Sequence, residues 1–201
     1  MYPVENRTAL VTGASSGLGF ETAAQLAESG FGKVVITART QPKADDARRR
    51  LVERTGTDVF ETSVMDFDSL ATIDPAIAAL VVGGPSFDVL MFNAGIAPPS
   101  AAQFTKDGLE ATIAGSLIGY HRLTMRLLGE GLVGENARIV IAGSEAARGD
   151  VPMFHPIDVD EFAREHCDGD LVAAIEAVMR LTPPATYKGG DQYATAKQFV
   201  A

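Results

Sequence analysis

The sequence predicts an α/β fold in which a parallel β-sheet carries helices on both faces. Short apolar runs typical of buried strands recur along the chain and alternate with segments of helical spacing. This alternation favours βαβ units, because parallel strands need a crossover connection and are buried on both faces. The predicted strands are residues 8–12, 33–38, 58–62, 87–92 and 138–142.

Length, composition and charge limit the classes of protein to which the chain can belong. Its 201 residues, 46% of them hydrophobic, suffice for one well-filled core, so we expect a single domain over residues 1–201. With 17 basic and 26 acidic residues the net charge is −9, which repels nucleic acids and anionic lipid surfaces. We therefore expect no nucleic-acid partner.

The sequence also favours a cytoplasmic protein without a membrane span. Its longest apolar stretch, residues 76–82, is far shorter than the roughly 20 residues that a spanning helix needs. The first five residues lack the charged and apolar regions of a signal peptide. A single cysteine, Cys167, agrees with a reducing compartment.

Two helical regions are predicted beyond those between the first strands. Residues 107–128 repeat apolar side chains every three or four positions, which indicates a helix packed on the sheet. Residues 150–190 are too long for an ordinary connection and are predicted to form a helical insertion. In it, Asp158 with Glu161 resembles a capping box, and Asp170 is a candidate cap for a helix over residues 171–181.

A glycine-rich turn follows the first predicted strand and opens a helix. Gly13 permits a tight turn, Gly17 allows close approach of a phosphate group, and Gly19 allows the helix to pack on the strand. The N-terminus of the helix offers free N–H groups and partial positive charge to phosphates. The turn therefore predicts dinucleotide binding through Gly13, Ser15, Ser16, Gly17, Leu18 and Gly19.

The end of the second strand indicates which dinucleotide is bound. An NAD-specific site usually has an acidic residue there, which binds the adenosine ribose. Here Ala38 is followed by Arg39, whose guanidinium can bind a 2′-phosphate with two charged hydrogen bonds. NADP(H) is therefore the predicted cofactor. The alternative is that Arg39 is a solvated loop charge.

Tyr193 and Lys197 form a pair whose spacing has a physical meaning. Residues four apart on a helix share a face, so the phenol and the ammonium group lie close together. A free tyrosine has a pKa of about 10, and a nearby cation stabilises its phenolate. Tyr193 is therefore a candidate proton donor and acceptor.

Together these motifs resemble the short-chain dehydrogenase/reductase family. Its TGxxxGxG pattern matches residues 12–19, and its YxxxK pattern matches residues 193–197. The resemblance implies a Rossmann-type, doubly wound fold and hydride transfer between a nicotinamide cofactor and a small carbonyl or alcohol. It also implies cofactor contacts at Asp66 and Phe67 after the third strand and at Asn93, Ala94 and Gly95 after the fourth.

The resemblance further assigns the catalytic roles. Tyr193 exchanges a proton with the substrate oxygen, and Lys197 also holds the nicotinamide ribose. Ser144 matches the catalytic serine, although Gly143 replaces the serine that normally precedes it. Ser116 stands where the family has an asparagine, which holds a water that links the lysine to solvent. Proton relay is therefore the step in which this chain departs from the family pattern.

A narrower resemblance joins the chain to the retinol dehydrogenase and protochlorophyllide reductase branch. Residues 104–110, the strand end at residues 141–144 and the long insertion carry it. It implies an apolar carbonyl or a conjugated double bond as the substrate. The chain ends four residues after Lys197, where the family continues, so we expect the C-terminal part of the family fold to be absent.

The sequence leaves several alternatives open. We expect the insertion to form a mobile helical flap over the substrate side of the cleft. The alternative is a decoration packed on the outside, which would block the helical interface of a homo-oligomer. A weakly catalytic NADP(H)-binding regulator or an NAD-dependent epimerase or dehydratase would share some of the motifs. His121, His155 and His166 lack metal-ligand spacing, so no metal is expected.

Overall fold

The computed structural model describes residues 3–84 and 86–201. Met1 and Tyr2, which belong to the segment searched for a signal peptide, lie outside the described residues. The chain forms two compact units. The first comprises Met1–Ala94 with Tyr120–Ala142, and the second comprises Gly95–Gly119 with Gly143–Ala201.

The first unit holds a five-stranded parallel sheet. Its strands are β1 Thr8–Val11, β2 Lys33–Ala38, β3 Phe60–Val64, β4 Phe87–Phe92 and β5 Val133–Ile141. They lie in the order β3-β2-β1-β4-β5. The predicted α/β fold class is confirmed. The order reverses at the centre, between β1 and β4, and in such sheets ligands bind outside the carboxyl ends of the strands at this point.

Two strands begin at positions other than those predicted. β3 lies two residues later than predicted because its register with β2 pairs Val34 with Phe60 and Ala38 with Val64. β5 begins at Val133 rather than at residue 138, since Val133 pairs with Phe87 before a register shift in the ladder. These starts depend on pairing between strands, which local composition does not encode.

Helices of the first unit bury small and aromatic side chains against the sheet. Helix α1, Gly17–Glu28, places Phe20, Ala23 and Ala24 in one buried cluster with Val34 and Ile36 of β2. Such tight packing suits alanine, which brings the helix close to the sheet. The other helices are α2 Gln41–Thr55, α3 Ile73–Gly83 and α5 Gly119–Gly129, of which α5 lies in this unit except for its first residue.

The second unit is helical. The predicted helix over residues 107–128 begins later, at Ala111, because the buried carboxylate of Glu110 accepts hydrogen bonds from the backbone N–H groups of Thr112 (3.0 Å) and Ile113 (2.9 Å). The unit contains helix α4 Ala111–Ile113, a π-helical turn Ala114–Ile118, a 3₁₀ turn Glu145–Arg148, and helices α6 Val159–His166, α7 Leu171–Arg180 and α8 Gly189–Phe199.

The predicted insertion contains both expected helices. Asp158 accepts a hydrogen bond from the backbone N–H of Glu161 at 2.8 Å, and Asp170 accepts one from that of Val172 at 2.9 Å. Helix α7 ends one residue before the predicted position, since Leu181 adopts a φ of +51°. Capping by short acidic side chains is a local interaction, so the sequence alone could indicate it.

The apolar side of the insertion packs inside the second unit. Val178 of α7 forms a buried cluster with Ile113 of α4 and Ala196 of α8. Phe162 and Met179 pack against the same cluster. The insertion therefore covers the face formed by α4 and α8.

Candidate active site

The glycine-rich turn is shaped by contacts with the end of β4. Gly13 has a φ of +65°, and a Cβ there would lie 2.8 Å from the Cα of Ala94. A Cβ at Gly19 would lie 2.5 Å from Nδ2 of Asn93 and from the carbonyl oxygen of Gly13. Neither position has room for a larger residue, so these two glycines serve packing in the first unit.

Thr12 joins the turn to β4, a role that the sequence analysis did not assign. Its buried hydroxyl accepts hydrogen bonds from the backbone N–H groups of Asn93 (2.9 Å) and Ala94 (3.1 Å). The side-chain amide of Asn93 donates in return to the carbonyl oxygen of Thr12 at 3.3 Å. The two strand ends are thereby held at a fixed separation.

The opposite side of the turn is open. Gly17 has a φ of +58°, and a Cβ there would have no neighbour within 4 Å among the described residues. Ser16, at the N-cap of α1, makes no side-chain capping bond, and Leu18 is 75% exposed. The first N–H groups of a helix have no partner inside the helix, so this surface can receive an anion.

Arg39 lies after β2 and has an acidic neighbour. Its guanidinium is 3.8 Å from the carboxylate of Asp68, and both side chains are exposed in part. Burial and the nearby charge of Asp66 raise the pKa of Asp68, while Arg39 lowers it. Asp66 also accepts a hydrogen bond from the backbone N–H of Asp68 at 3.2 Å.

The remaining predicted cofactor residues have different surroundings. Phe67 is buried and meets Tyr120 edge-on, with 5.7 Å between the ring centroids, so its side chain belongs to the interior of the first unit. Asn93 and Ala94 follow β4 and are the last residues of this segment of the first unit. Gly95 is exposed and is the first residue of the second unit.

Helix α8 brings Tyr193 and Lys197 together as predicted. The ammonium nitrogen of Lys197 lies 5.8 Å from the centroid of the Tyr193 ring. Lys197 is only 4% exposed, and burial lowers the pKa of its ammonium group. Tyr193 is half-buried, and the ring of Phe154 meets it edge-on at 6.0 Å.

Ser144 lies at the start of the 3₁₀ turn that packs against α8. Its hydroxyl oxygen accepts a hydrogen bond from the backbone N–H of Ala146 at 3.2 Å. The turn and α8 are direct neighbours in the second unit. The structure thus groups the elements that carry Ser144, Tyr193 and Lys197.

Two glycines before Tyr193 were missed by the sequence analysis. A Cβ at Gly190 would collide with the carbonyl oxygen of Met153, and one at Gly189 would lie 3.0 Å from Cβ of Pro98. Asp191 accepts a hydrogen bond from the backbone N–H of His155 at 3.1 Å. The adjacent glycines were a visible signal for this close approach of the chain to the start of α8.

Ser116, in the position of the family asparagine, is fully buried in the π-helical turn. Its hydroxyl has no hydrogen-bond partner among the described residues. A π-helical turn widens the helix locally and is frequent at functional sites.

Residues 3–84 and 86–201 contain neither a grouped set of metal-ligating side chains nor a helix suited to spanning a membrane. No three His, Cys, Asp or Glu side chains in that part of the chain are grouped so that they could hold a metal ion. None of its helices combines the length and the apolar character needed to cross a membrane.

A profile of the short chain dehydrogenase family matches residues 7–156. The chain belongs to the short-chain dehydrogenase family. The matched region of the chain includes the glycine-rich turn, Asn93 and Ser144 and stops before Tyr193 and Lys197. The family predicted from the motifs is therefore confirmed.

Individual relatives of the chain agree with the branch predicted from the sequence. It is 31% identical to the chloroplastic protochlorophyllide reductase of Chlamydomonas reinhardtii, over 70% of this chain and 36% of the relative. It is 32% identical to dehydrogenase/reductase SDR family member 13 of Bos taurus, over 72% of this chain and 37% of the relative. The chain spans little more than a third of the length of these curated relatives.

Among solved structures, menthone neomenthol reductase from Mentha piperita has a similar fold. The TM-score is 0.70 at 19% identity, over 96% of this chain and 82% of that chain. At this identity the similarity concerns the fold alone.

Proposed function

We propose that this protein is an oxidoreductase that transfers hydride between NADP(H) and a carbonyl or alcohol substrate. The observation that carries the proposal is the geometry of α8, which holds Tyr193 beside the buried Lys197 and packs against the turn that begins at Ser144. Membership of the short-chain dehydrogenase family supports this reaction class.

The open side of the glycine-rich turn fits the pyrophosphate of a dinucleotide. Ser15, Ser16, Gly17 and Leu18 lead into α1, and no side chain fills the space over Gly17 within the described residues. Backbone N–H groups at this helix terminus would bind the phosphate oxygens. The nicotinamide ring of such a cofactor supplies the hydride.

Arg39 supports NADP(H) as the cofactor. It follows β2 directly, it is exposed, and its ion pair with Asp68 is long at 3.8 Å. An exposed pair at this distance contributes little, so a 2′-phosphate can recruit the guanidinium at small cost. Ala38, buried and neutral, supplies no carboxylate that would bind the 2′-hydroxyl of NAD.

The three catalytic side chains have separate tasks in the proposed reduction. Tyr193 donates its phenolic proton to the substrate oxygen, and the neighbouring ammonium of Lys197 stabilises the resulting phenolate. Ser144 already accepts a bond from Ala146, so its hydroxyl hydrogen is available to the same substrate oxygen.

An apolar substrate is favoured by the side chains near Tyr193. The ring of Phe154 contacts the Tyr193 ring, and the adjacent Met153 is 79% exposed. An apolar surface of this kind suits ring or chain carbonyls, because it removes their hydrocarbon part from water.

A screen of the protein with NADPH against apolar aldehydes, ketones and enones tests the proposal. We expect loss of absorbance at the nicotinamide band that depends on both protein and substrate, and no such loss with the Tyr193→Phe variant. Tight NADPH binding without turnover would favour a regulatory protein. A firmly bound NAD⁺ that is not consumed would favour an epimerase or dehydratase.

A further inference from the structure

Gln192, immediately before Tyr193, is a buried polar side chain that the proposed chemistry does not use. It is fully inaccessible to solvent. Neither its side-chain oxygen nor its nitrogen has a hydrogen-bond partner in the described part of the chain. A buried amide without partners is costly, and such groups in native proteins are usually bonded to ordered water when no protein group serves.

Two buried hydroxyl groups are in the same situation as the side-chain amide of Gln192. Thr112 in α4 and Ser116 in the π-helical turn are fully buried, and neither hydroxyl finds a partner within residues 3–84 and 86–201. The two residues are four positions apart, so they lie on the same side of this helical stretch. The three orphaned side chains together supply both donors and acceptors.

Helix packing in the second unit brings together the elements that carry these residues. Helix α8 packs directly against α4 and against the π-helical turn. Ala196 of α8 contacts the cluster around Ile113 of α4, and Gln192 lies one helical turn before Ala196. Gln192 therefore lies on the side of α8 that faces the stretch containing Thr112 and Ser116.

From this juxtaposition we infer that Thr112, Ser116 and Gln192 enclose a buried water site, and that Gln192 positions Tyr193 through it. A buried water typically makes about three hydrogen bonds to groups that would otherwise be unsatisfied. Such a water ties α8 to the 111–118 stretch at the turn that carries Tyr193. The positioning role rests on the proposed function, whereas the water site does not.

Thermal unfolding tests the water site without reference to activity. Gln192→Leu keeps the volume but removes the polar groups, so the water loses partners and Tm falls by about 3 °C or more. Gln198→Leu, the same change at an exposed position of α8, leaves Tm within about 1 °C, as surface changes usually do. A rise of Tm in Gln192→Leu would show a dry, unsatisfied amide and overturn the water site.

A double-mutant cycle shows whether the groups share one site. Ser116→Ala alone lowers Tm, but added to Gln192→Leu it lowers Tm further by less than half of its single effect, because the common water is already lost. Thr112→Val is expected to behave in the same way. Fully additive shifts would place the groups in separate environments and overturn the shared site.

Steady-state kinetics test the positioning of Tyr193. In Gln192→Leu we expect kcat to fall about tenfold or more, because small misplacements of a proton donor are costly, while KM for NADPH changes less than twofold. Equal kcat in Gln192→Leu and Gln198→Leu would overturn the positioning role. Absence of turnover in the unsubstituted protein would overturn the proposed function and this role with it. The double-mutant cycle measured by thermal unfolding would still test the water site.

Discussion

The proposed preference for NADP(H) rests on a single residue, Arg39. Charged hydrogen bonds contribute about 1.5–3 kcal/mol, and every 1.4 kcal/mol is tenfold in affinity. Because the ion pair of Arg39 with Asp68 is long and exposed, we expect Arg39→Ala to weaken NADPH binding by roughly tenfold or more, with little effect on NADH.

Titration of both cofactors, followed by nicotinamide fluorescence, measures this preference. Arg164→Ala is a matched control, since it removes the same charge from an exposed position on α6. Equal affinity of the unsubstituted protein for NADPH and NADH would contradict the assignment of Arg39.

Tyr193 gives the second prediction for a single residue. Tyr193→Phe retains the ring that contacts Phe154 but removes the transferable proton. A positioned acid or base is worth about 10² to 10⁴ in rate, so we expect kcat to fall within that range. NADPH affinity should stay nearly unchanged, and Lys197→Ala should lower both. A phenylalanine variant with the original kcat would show that another group supplies the proton.

Motif residues were easier to predict from sequence than the residues that support them. The spacing of Tyr193 and Lys197 is a local helical property, and the structure shows both on one face. Thr12 and Gln192 carry no such pattern, because their importance comes from contacts with distant parts of the chain. A single buried glutamine in an otherwise ordinary helix is not distinguishable in the sequence from an exposed one.

Secondary-structure elements show the same division between local and distant causes. The caps at Asp158 and Asp170 follow from neighbouring residues, and the sequence indicated both helices of the insertion. The start of α4 was placed too early, because Glu110 is held by the carbonyl oxygen of Met179, 2.7 Å from its backbone nitrogen. This hydrogen bond to a distant residue keeps residues 107–110 out of the helix. The helical spacing of apolar residues cannot reveal such a contact.

The start of α8 gives a prediction for an element. Gly190 allows the carbonyl oxygen of Met153 to approach more closely than any side chain permits. Gly190→Ala should therefore push the Met153 and Phe154 segment away from α8 and lower stability by about 1–3 kcal/mol, as overpacking does. Since Phe154 contacts Tyr193, we also expect KM for an apolar substrate to rise.

Chemical denaturation and substrate titration measure the two effects. Gly129→Ala, at the end of α5, is the control because a Cβ there has no neighbour within 4 Å among the described residues. That change should be neutral or slightly stabilising. If both alanine variants unfold at the same denaturant concentration, the close approach at Gly190 has no energetic consequence.

In the whole molecule, the predicted functions are divided between the two units. The turn at Gly13, Gly17 and Gly19, with Arg39, belongs to the first unit, and Ser144, Tyr193 and Lys197 belong to the second. The motifs predicted this list of residues but not the division, since the boundary passes between Ala94 and Gly95, inside one motif. Which segments pack into one compact unit depends on contacts between distant residues, so no local sequence pattern marks the boundary.

The insertion provides the prediction for the whole molecule. Its apolar side packs on Ile113 and Ala196, so the face of α4 and α8 is already covered within one chain. This packing favours the decoration over the mobile flap, and we expect the protein to be a monomer at micromolar concentration. Light scattering coupled to size exclusion measures the mass directly, and a dimer would contradict the prediction.

A pair of substitutions on α7 distinguishes a packed insertion from a flap that opens freely. Val178 is 3% exposed and Val172 is 69% exposed, on the same helix. Burying an unpaired charge is among the most destabilising changes, so Val178→Asp should cost about 3 kcal/mol or more and promote self-association through the uncovered face. Val172→Asp should leave stability within about 0.5 kcal/mol. A flap that is open much of the time would hydrate both positions, and the two aspartate variants would then unfold alike and stay monomeric.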